Sequence, residues 1–167
     1  PIVGMAGLGK TTLAKNVYED PYIINHFYVR AWITVSQVYE KKNLLLEILS
    51  CCQGQLTSLT YKMSDGRLSE QVHKCLKDRR YLIVMDDIWN VEVWNDMRKC
   101  LPDDRKGSRV IFTSRFTKIA SHANPHKVRF LSKEESWNLL REKAFQNKTC
   151  TLELTEVGKR IAEKCQG

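Results

Sequence analysis

The chain contains no apolar run approaching the roughly 20 residues that a membrane-spanning helix requires. It has no basic segment followed by an apolar one at its start, so no secretory leader is expected there. Its six cysteines are Cys51, Cys52, Cys75, Cys100, Cys150 and Cys165, and they form no C-x-x-C pair. None is spaced with histidine as in a zinc site, and two are adjacent. Cys75, Cys100 and Cys165 fall in amphipathic helical patterns, where a reduced thiol acts as a small apolar group. That usage fits a reducing, intracellular compartment. No repeat of roughly 20–50 residues is visible. No stretch interleaves basic residues with aromatics as a single-strand nucleic-acid platform would. The formal net charge of +8 is instead scattered over Lys41-Lys42, Lys77 with Arg79-Arg80, Arg105-Lys106, Lys133 and Lys159-Arg160. Such scatter reads as solvated surface, or as a face toward an acidic neighbour.

What is present is a globular composition, 43% hydrophobic and 28% charged over 167 residues. That length makes one domain, or one domain with a fragment of a second. Regular structure is expected from residue 1, without an initiator Met, so the sequence reads as a piece of a longer chain.

The densest signal is at the start. Gly4-Met5-Ala6-Gly7-Leu8-Gly9-Lys10-Thr11-Thr12 fits the G-x-x-x-x-G-K-[ST] template, with an apolar strand stub before it and a helix-forming stretch after it. Glycines let the backbone fold tightly round a polyphosphate, with N–H groups from about Gly7 to Thr12 aimed at its oxygens. The positive end of the following helix adds to that field. Lys10 is placed to reach the β- and γ-phosphates, and the Thr11 hydroxyl to take one position on an octahedral Mg²⁺. The stretch therefore predicts a nucleotide site.

Along the chain, a first helix from Thr12 is expected to stop near Asp20-Pro21. The alternating segment 27–36 predicts a strand, with Trp32 in the core. A helix is expected over 42–52, an unstructured surface loop over 54–64, and a helix over 65–77. His73 on the last reads as a surface or half-buried side chain. Residues 81–87, an apolar run ending in Asp86-Asp87, predict a parallel strand buried on both faces. A helix over 91–100 with Val93, Trp94 and Met97 inward follows, then strands over 108–115 and 127–131. Ser132-Lys133-Glu134-Glu135 is a capping box, opening a helix with Trp137, Leu140, Ala144 and Phe145 inward. A final helix over 153–165 is expected to pack through Leu154, Val157, Ile161 and Cys165 and to stop near Gly167. This order predicts an α/β fold with a parallel sheet covered by helices on both faces.

Ligand groups in open α/β sheets gather at the carboxyl ends of strands. Asp86 at such an end can hold Mg²⁺ through a water shell, and Asp87 can orient or activate a water. A helix cap or a surface carboxylate pair is the plainer alternative. Arg115 closes its strand at the same kind of end, where a guanidinium can reach a γ-phosphate; a surface arginine is the alternative.

Five stretches, GMAGLGKTT at 4–12, FYVRAWITVS at 27–36, YLIVMDDIW at 81–89, GSRVIFTSR at 107–115 and LSKEESWNLLREKAF at 131–145, together resemble the nucleotide-binding (NB-ARC) domain of plant intracellular immune receptors that end in leucine-rich repeats. Trp89 after Asp86-Asp87-Ile88 resembles the coiled-coil class rather than the TIR class. The resemblance implies a P-loop NTPase of the STAND/AAA+-like kind with a five-stranded sheet over 1–131, and the start of a helical ARC subdomain over 132–167. It implies ADP/ATP and Mg²⁺ as ligands, with Gly4 to Thr12 and Arg115 on the nucleotide and Thr11 and Asp86 on the metal. It further implies Asp87 as catalytic carboxylate and Arg115 as γ-phosphate sensor, its strand lying between the P-loop strand and the Asp86 strand. Cytoplasmic location, intramolecular coiled-coil and leucine-rich-repeat partners, self-association on activation and defence signalling through the hypersensitive response belong to the same picture. The family's Gly-Leu-Pro-Leu stretch and His-Asp contact to the nucleotide are not in these residues, so weaker nucleotide retention by this piece alone is expected. Hydrolysis is expected to be slow, since Asp87 stands where fast P-loop ATPases usually carry glutamate. A nucleic-acid-stimulated P-loop ATPase, consistent with +8, is the alternative; a P-loop kinase fits less well, because 54–64 has no arginine for a lid.

Overall fold

A computed structural model describes residues 1–103, 106–120, 124–145 and 151–165. It divides into two compact units, Pro1–Lys127 and Val128–Gly167.

The first unit is built on strands β1 (Ile2–Val3), β2 (Val29–Thr34), β3 (Tyr81–Asp86), β4 (Arg109–Ser114) and β5 (His126–Lys127). They form the expected five-stranded sheet, in the order β2-β3-β4-β1-β5, and every pairing is parallel. β4 therefore lies between the P-loop strand and the Asp86 strand. Its helices are α1 (Lys10–Glu19), α2 (Pro21–His26), α3 (Lys41–Gln53), α4 (Ser58–Tyr61), α5 (Asp65–Leu76) and α6 (Val91–Arg98), with a 3₁₀ turn at Thr117–Ala120. All six β3 residues are buried, as a parallel strand covered on both faces requires. β2 buries Val29, Ala31 and Ile33 against the same core as Leu45, Ile48 and Leu49 of α3 and Leu68, Val72 and Leu76 of α5. Each such aliphatic side chain contributes about 1.5–3 kcal/mol on burial. Trp32 packs edge-on against Tyr18, ring centroids 5.5 Å apart. Val93 and Met97 of α6 are buried, and Trp94 leans on Phe112 at 5.3 Å.

Several expectations need correction. Pro21 does not merely end α1; it opens α2, with the Asp20 carboxylate accepting from the Tyr22 and Ile23 amides at 2.8 and 3.3 Å. Proline at the first helical position loses an N–H that would be unpaired anyway. The stretch 54–64 holds a one-turn helix, α4, capped by the Thr57 hydroxyl. β3 ends at Asp86, because Asp87 turns to a left-handed φ of 59°. The last strand is His126–Lys127 rather than 127–131. Its partner β1 has only two residues, and the ladder runs out at Val3–Lys127; Phe130 and Leu131 are exposed. Cys100 is buried, whereas Cys165 is exposed and Cys150 lies outside the described residues.

The second unit pairs α7 (Lys133–Phe145) with α8 (Leu152–Lys164). The capping box forms: the Glu135 amide donates to the Ser132 hydroxyl at 3.2 Å, and the Ser132 amide to the Glu135 carboxylate at 2.8 Å. Arg129 grips Glu135 through two bonds of 2.8 and 2.7 Å and, with the Ser132 donors, holds its carboxyl down at about 2. On α7 Trp137 is buried, Leu140 and Phe145 are half-buried and Ala144 is exposed. The expected inner face of α8 is also displaced. Leu154, Val157 and Ile161 are exposed, and Gly158 and Ala162 are buried instead. The reason is size: a Cβ on Gly158 would stand 2.2 Å from Cζ3 of Trp137. The indole lies on the α8 backbone. α8 ends at Lys164, a little before the expected stop near Gly167, with the Cys165 amide donating to the Ile161 carbonyl at 3.2 Å.

That contact gives a paired prediction. Gly158→Ala should destabilise this unit by roughly 1–3 kcal/mol despite alanine's better helix propensity, because the indole must move. Gly66→Ala, on α5 with open space around its Cβ position, should instead be neutral or stabilising by up to about 1 kcal/mol. Urea denaturation of the two variants, followed by helical circular dichroism and tryptophan fluorescence, separates the cases.

Candidate functional site

The site assembles where β1, β3 and β4 end. β1 runs into the turn 4–9, in which Gly7 and Gly9 adopt φ of 83° and 79°. A side chain is strained at either φ, so the turn requires glycine there. Gly9 then caps α1, its carbonyl accepting from the Leu13 amide at 2.8 Å. The first helical residues are Lys10 and Thr11, and both reach the carboxyl edge of the sheet.

A cleft of about 360 Å³ opens there, lined by Ala6, Gly7, Gly9, Lys10, Thr11, Thr34, Asp86, Asp87, Thr113 and Arg115. Of the residues expected at the site, Gly4, Met5, Leu8 and Thr12 do not line the cleft. Met5 contributes through its backbone, its carbonyl accepting from Lys10 Nζ at 2.5 Å. Gly4 fixes the loop to β4, its amide donating to the Ser114 carbonyl at 3.3 Å. A larger concavity of about 670 Å³ lies at the amino ends of the strands, beside Tyr28, Arg79 and Arg80. Gly107 turns beside it with φ of 85°, but among the described residues lining it none begins a helix, whereas Lys10 and Thr11 of the smaller cleft do.

Lys10 is buried, 7% exposed. Its ammonium is pushed below the ordinary lysine range by loss of solvent first and by the Arg115 charge second, while Asp87 and Asp86 pull the other way. Two cations share the cleft at a cost that an anion between them would relieve. The Thr11 hydroxyl donates to Asp86 at 2.9 Å to Oδ1 and 3.0 Å to Oδ2. The Thr113 hydroxyl donates to Asp86 Oδ1 at 2.6 Å and accepts the Asp87 amide at 2.8 Å. Arg115 reaches Asp87 Oδ2 at 3.5 Å, a half-exposed pair worth about 0–1 kcal/mol. Its guanidinium lies 4.6 Å from the centre of the Trp89 ring. Trp89 thus supports the arginine through its π-face.

The oxygen donors suit the expected cation. Mg²⁺ prefers oxygen, keeps several waters and takes one or two protein ligands plus substrate phosphates. The Thr11 hydroxyl and the Asp86 carboxylate, already in contact, supply that kind of pair. Among the described residues no cluster of three or more His, Cys, Asp or Glu could hold a metal.

Thr34 and Thr113 also line the cleft, and no sequence motif singles them out. The signal for them is register. Thr34 pairs with Asp86 across β2 and β3, and Thr113 follows Phe112, the partner of Met85. Polar residues ending apolar strands at one edge mark a site once the strand order is known.

Over residues 1–150 the chain matches the NB-ARC domain. Across 98% of its length it is 43% identical to late blight resistance protein homolog R1B-14 of Solanum demissum, of which it spans 13%. Across the same share of its length it is 42% identical to homolog R1B-16 of that plant, of which it likewise spans 13%. It thus covers a small part of the relatives it matches. Among solved structures, Cdc6p from Pyrobaculum aerophilum aligns with a TM-score of 0.75 at 13% identity, over 97% of this chain and 47% of that one. A chain of Drosophila ORC bound to DNA aligns with a TM-score of 0.64 at 14% identity, over 99% of this chain and 45% of that one. At such identities the likeness is one of fold, a parallel sheet flanked by helices. By its sequence match along nearly the whole chain, this protein belongs to the NB-ARC domain family.

Proposed function

We propose that this chain is the phosphate-binding part of an ADP/ATP switch in a plant intracellular immune receptor of the coiled-coil class. The observation that carries the reading is the convergence of Lys10, the Thr11–Asp86 pair and Arg115 on one cleft beneath a glycine turn. In this reading the backbone donors between Gly7 and Thr12 bind the β-phosphate and Lys10 bridges the β- and γ-phosphates. Thr11 and Asp86 hold Mg²⁺, which when bound neutralises phosphate charge. Asp87 positions the water that attacks the γ-phosphorus, giving ADP and inorganic phosphate. The site favours retention over turnover in this reading, because Asp87 offers a shorter carboxylate than glutamate.

The switch works by differential affinity. ATP can shift the receptor from closed to open only by as much as its γ-phosphate contacts favour the open state. Lys10 and Arg115 are the cleft's two cations, and Arg115 is the one held by weak, exposed contacts, free to exchange Asp87 for a phosphate oxygen. The residues from 132 onward would begin the helical ARC subdomain. The other parts of the receptor, a coiled coil and leucine-rich repeats, would read the signal, and self-association with a hypersensitive response would follow in the cytoplasm.

Two outcomes are expected in the full-length receptor. Lys10→Ala should abolish nucleotide retention and the defence response; an unaltered response would remove the switch reading. Arg115→Ala should weaken ATP binding about 10–100-fold, the value of one or two charge-assisted bonds. ADP affinity should change by no more than about threefold, since the lost contact is to the γ-phosphate. Calorimetry with ADP and a non-hydrolysable ATP analogue measures both. Equal losses for the two nucleotides would show that Arg115 does not sense the γ-phosphate. Adding DNA or RNA to the wild-type hydrolysis assay tests the rival motor reading, which requires many-fold stimulation.

A further inference from the structure

We propose that Thr113 is a positioning residue of the Mg²⁺–nucleotide site, fixing the Asp86 carboxylate and the backbone of Asp87 through one hydroxyl. The inference rests on the nucleotide reading above and adds a residue to which that reading assigns no part.

Thr113 is 1% exposed, at the end of the central strand. Its hydroxyl has a single proton, and the 2.6 Å contact commits it to Asp86 Oδ1. The oxygen is then the acceptor for the Asp87 amide at 2.8 Å. Donor and acceptor roles are both set, so the chain of bonds runs one way, from the Asp87 N–H through the Thr113 O–H to the Asp86 carboxylate. Such chains strengthen one another in a buried setting. The neighbouring atoms lock the same segment. The Ile88 amide donates to the Thr113 carbonyl at 2.8 Å, and the Ser114 hydroxyl donates to the Ile88 carbonyl at 2.8 Å. The end of β4 therefore holds three consecutive residues, Asp86, Asp87 and Ile88.

Without the Thr113 hydroxyl, Asp86 keeps only Thr11, whose proton lies almost equally near both carboxylate oxygens. The carboxylate torsion is soft and two-fold, so Thr11 alone does not choose which oxygen faces the cleft. Thr113 makes that choice by engaging Oδ1 and leaving Oδ2 with spare lone pairs for a hydrated cation. Mg²⁺ demands near-ideal octahedral geometry, so its binding is sensitive to that choice. Contacts to phosphate from Gly7 to Lys10 do not pass through Asp86. The predicted defect is therefore specific to the metal.

The test measures ADP affinity of the full-length protein by calorimetry, with Mg²⁺ and again with EDTA, for wild type, Thr113→Val and Thr113→Ser. The ratio of the two affinities is the Mg²⁺ increment. Thr113→Val, which keeps the shape and removes the hydroxyl, should lower the increment about 10–100-fold, the usual effect of losing a hydrogen bond behind a metal ligand. Its affinity in EDTA should stay within about threefold of wild type. Thr113→Ser should restore the increment. An increment kept in Thr113→Val overturns the inference, and so does an equal loss with and without Mg²⁺, the signature of a merely structural role. If Thr113→Val does not fold, Thr113→Cys takes its place against Thr113→Ser, since a thiol is a weak donor of similar size. A wild-type protein that binds no ADP in either condition overturns the nucleotide reading itself, and this inference with it.

Discussion

The hydrogen-bonded carboxylate of Asp86 is the constraint on which the site depends. It joins three separate parts of the chain: the helix that follows the glycine turn, the strand that bears the carboxylate, and the strand beside it. Thr11 and Thr113 approach it from either side. A buried carboxylate without such donors would be costly; with them it is fixed at the edge of the cleft that the glycine turn and the buried Lys10 also line. The rest of the first unit serves this meeting. The apolar run 81–85 drives β3 into the middle of the structure and carries Asp86 to its edge. The α3 and α5 helices cover one face and the parallel order sets all the strand ends together.

The electrostatics of the cleft are unbalanced in an informative direction. Burial and Arg115 both disfavour the charge on Lys10, and the two aspartates compensate only in part. The negative charge of a polyphosphate would offset both penalties, and a γ-phosphate would also give Arg115 a stronger partner than the 3.5 Å contact it has with Asp87. On the proposed reading the same groups would respond to how many phosphates are present, which is the property a switch needs and a simple anchor does not.

How much of this is legible in the sequence depends on how local each signal is. Lys10, Thr11 and the glycines form a contiguous motif whose spacing carries its own mechanism. Asp86 and Arg115 follow from their position at strand ends. Thr34 and Thr113 escape sequence reading because their role comes from register between strands, which no window of sequence contains. The start of α2 escapes it because Pro21 looks like a stop, although the same proline is well suited to a first helical position behind Asp20. On α8 the apolar pattern points to Leu154, Val157 and Ile161. The contact is instead made by Gly158, because a tryptophan on α7 needs room that only the smallest residue leaves. Periodicity reports which side chains are apolar; it does not report which helix face permits the closest approach.

The left-handed backbone at Asp87 has a consequence for how this site can change over generations. Outside glycine, that conformation is adopted most readily by asparagine and aspartate, whose short side chains tolerate it. A glutamate, the residue that would bring a water-activating carboxylate closer to a phosphate, would have to enter a backbone state that disfavours it and give up a carboxylate held at Arg115. The shape of one peptide unit therefore biases the residues this position can sample toward short ones. If Asp87 has the proposed catalytic role, faster turnover would call for a remodelled turn as well as a longer side chain, so a single substitution is a poor route to it.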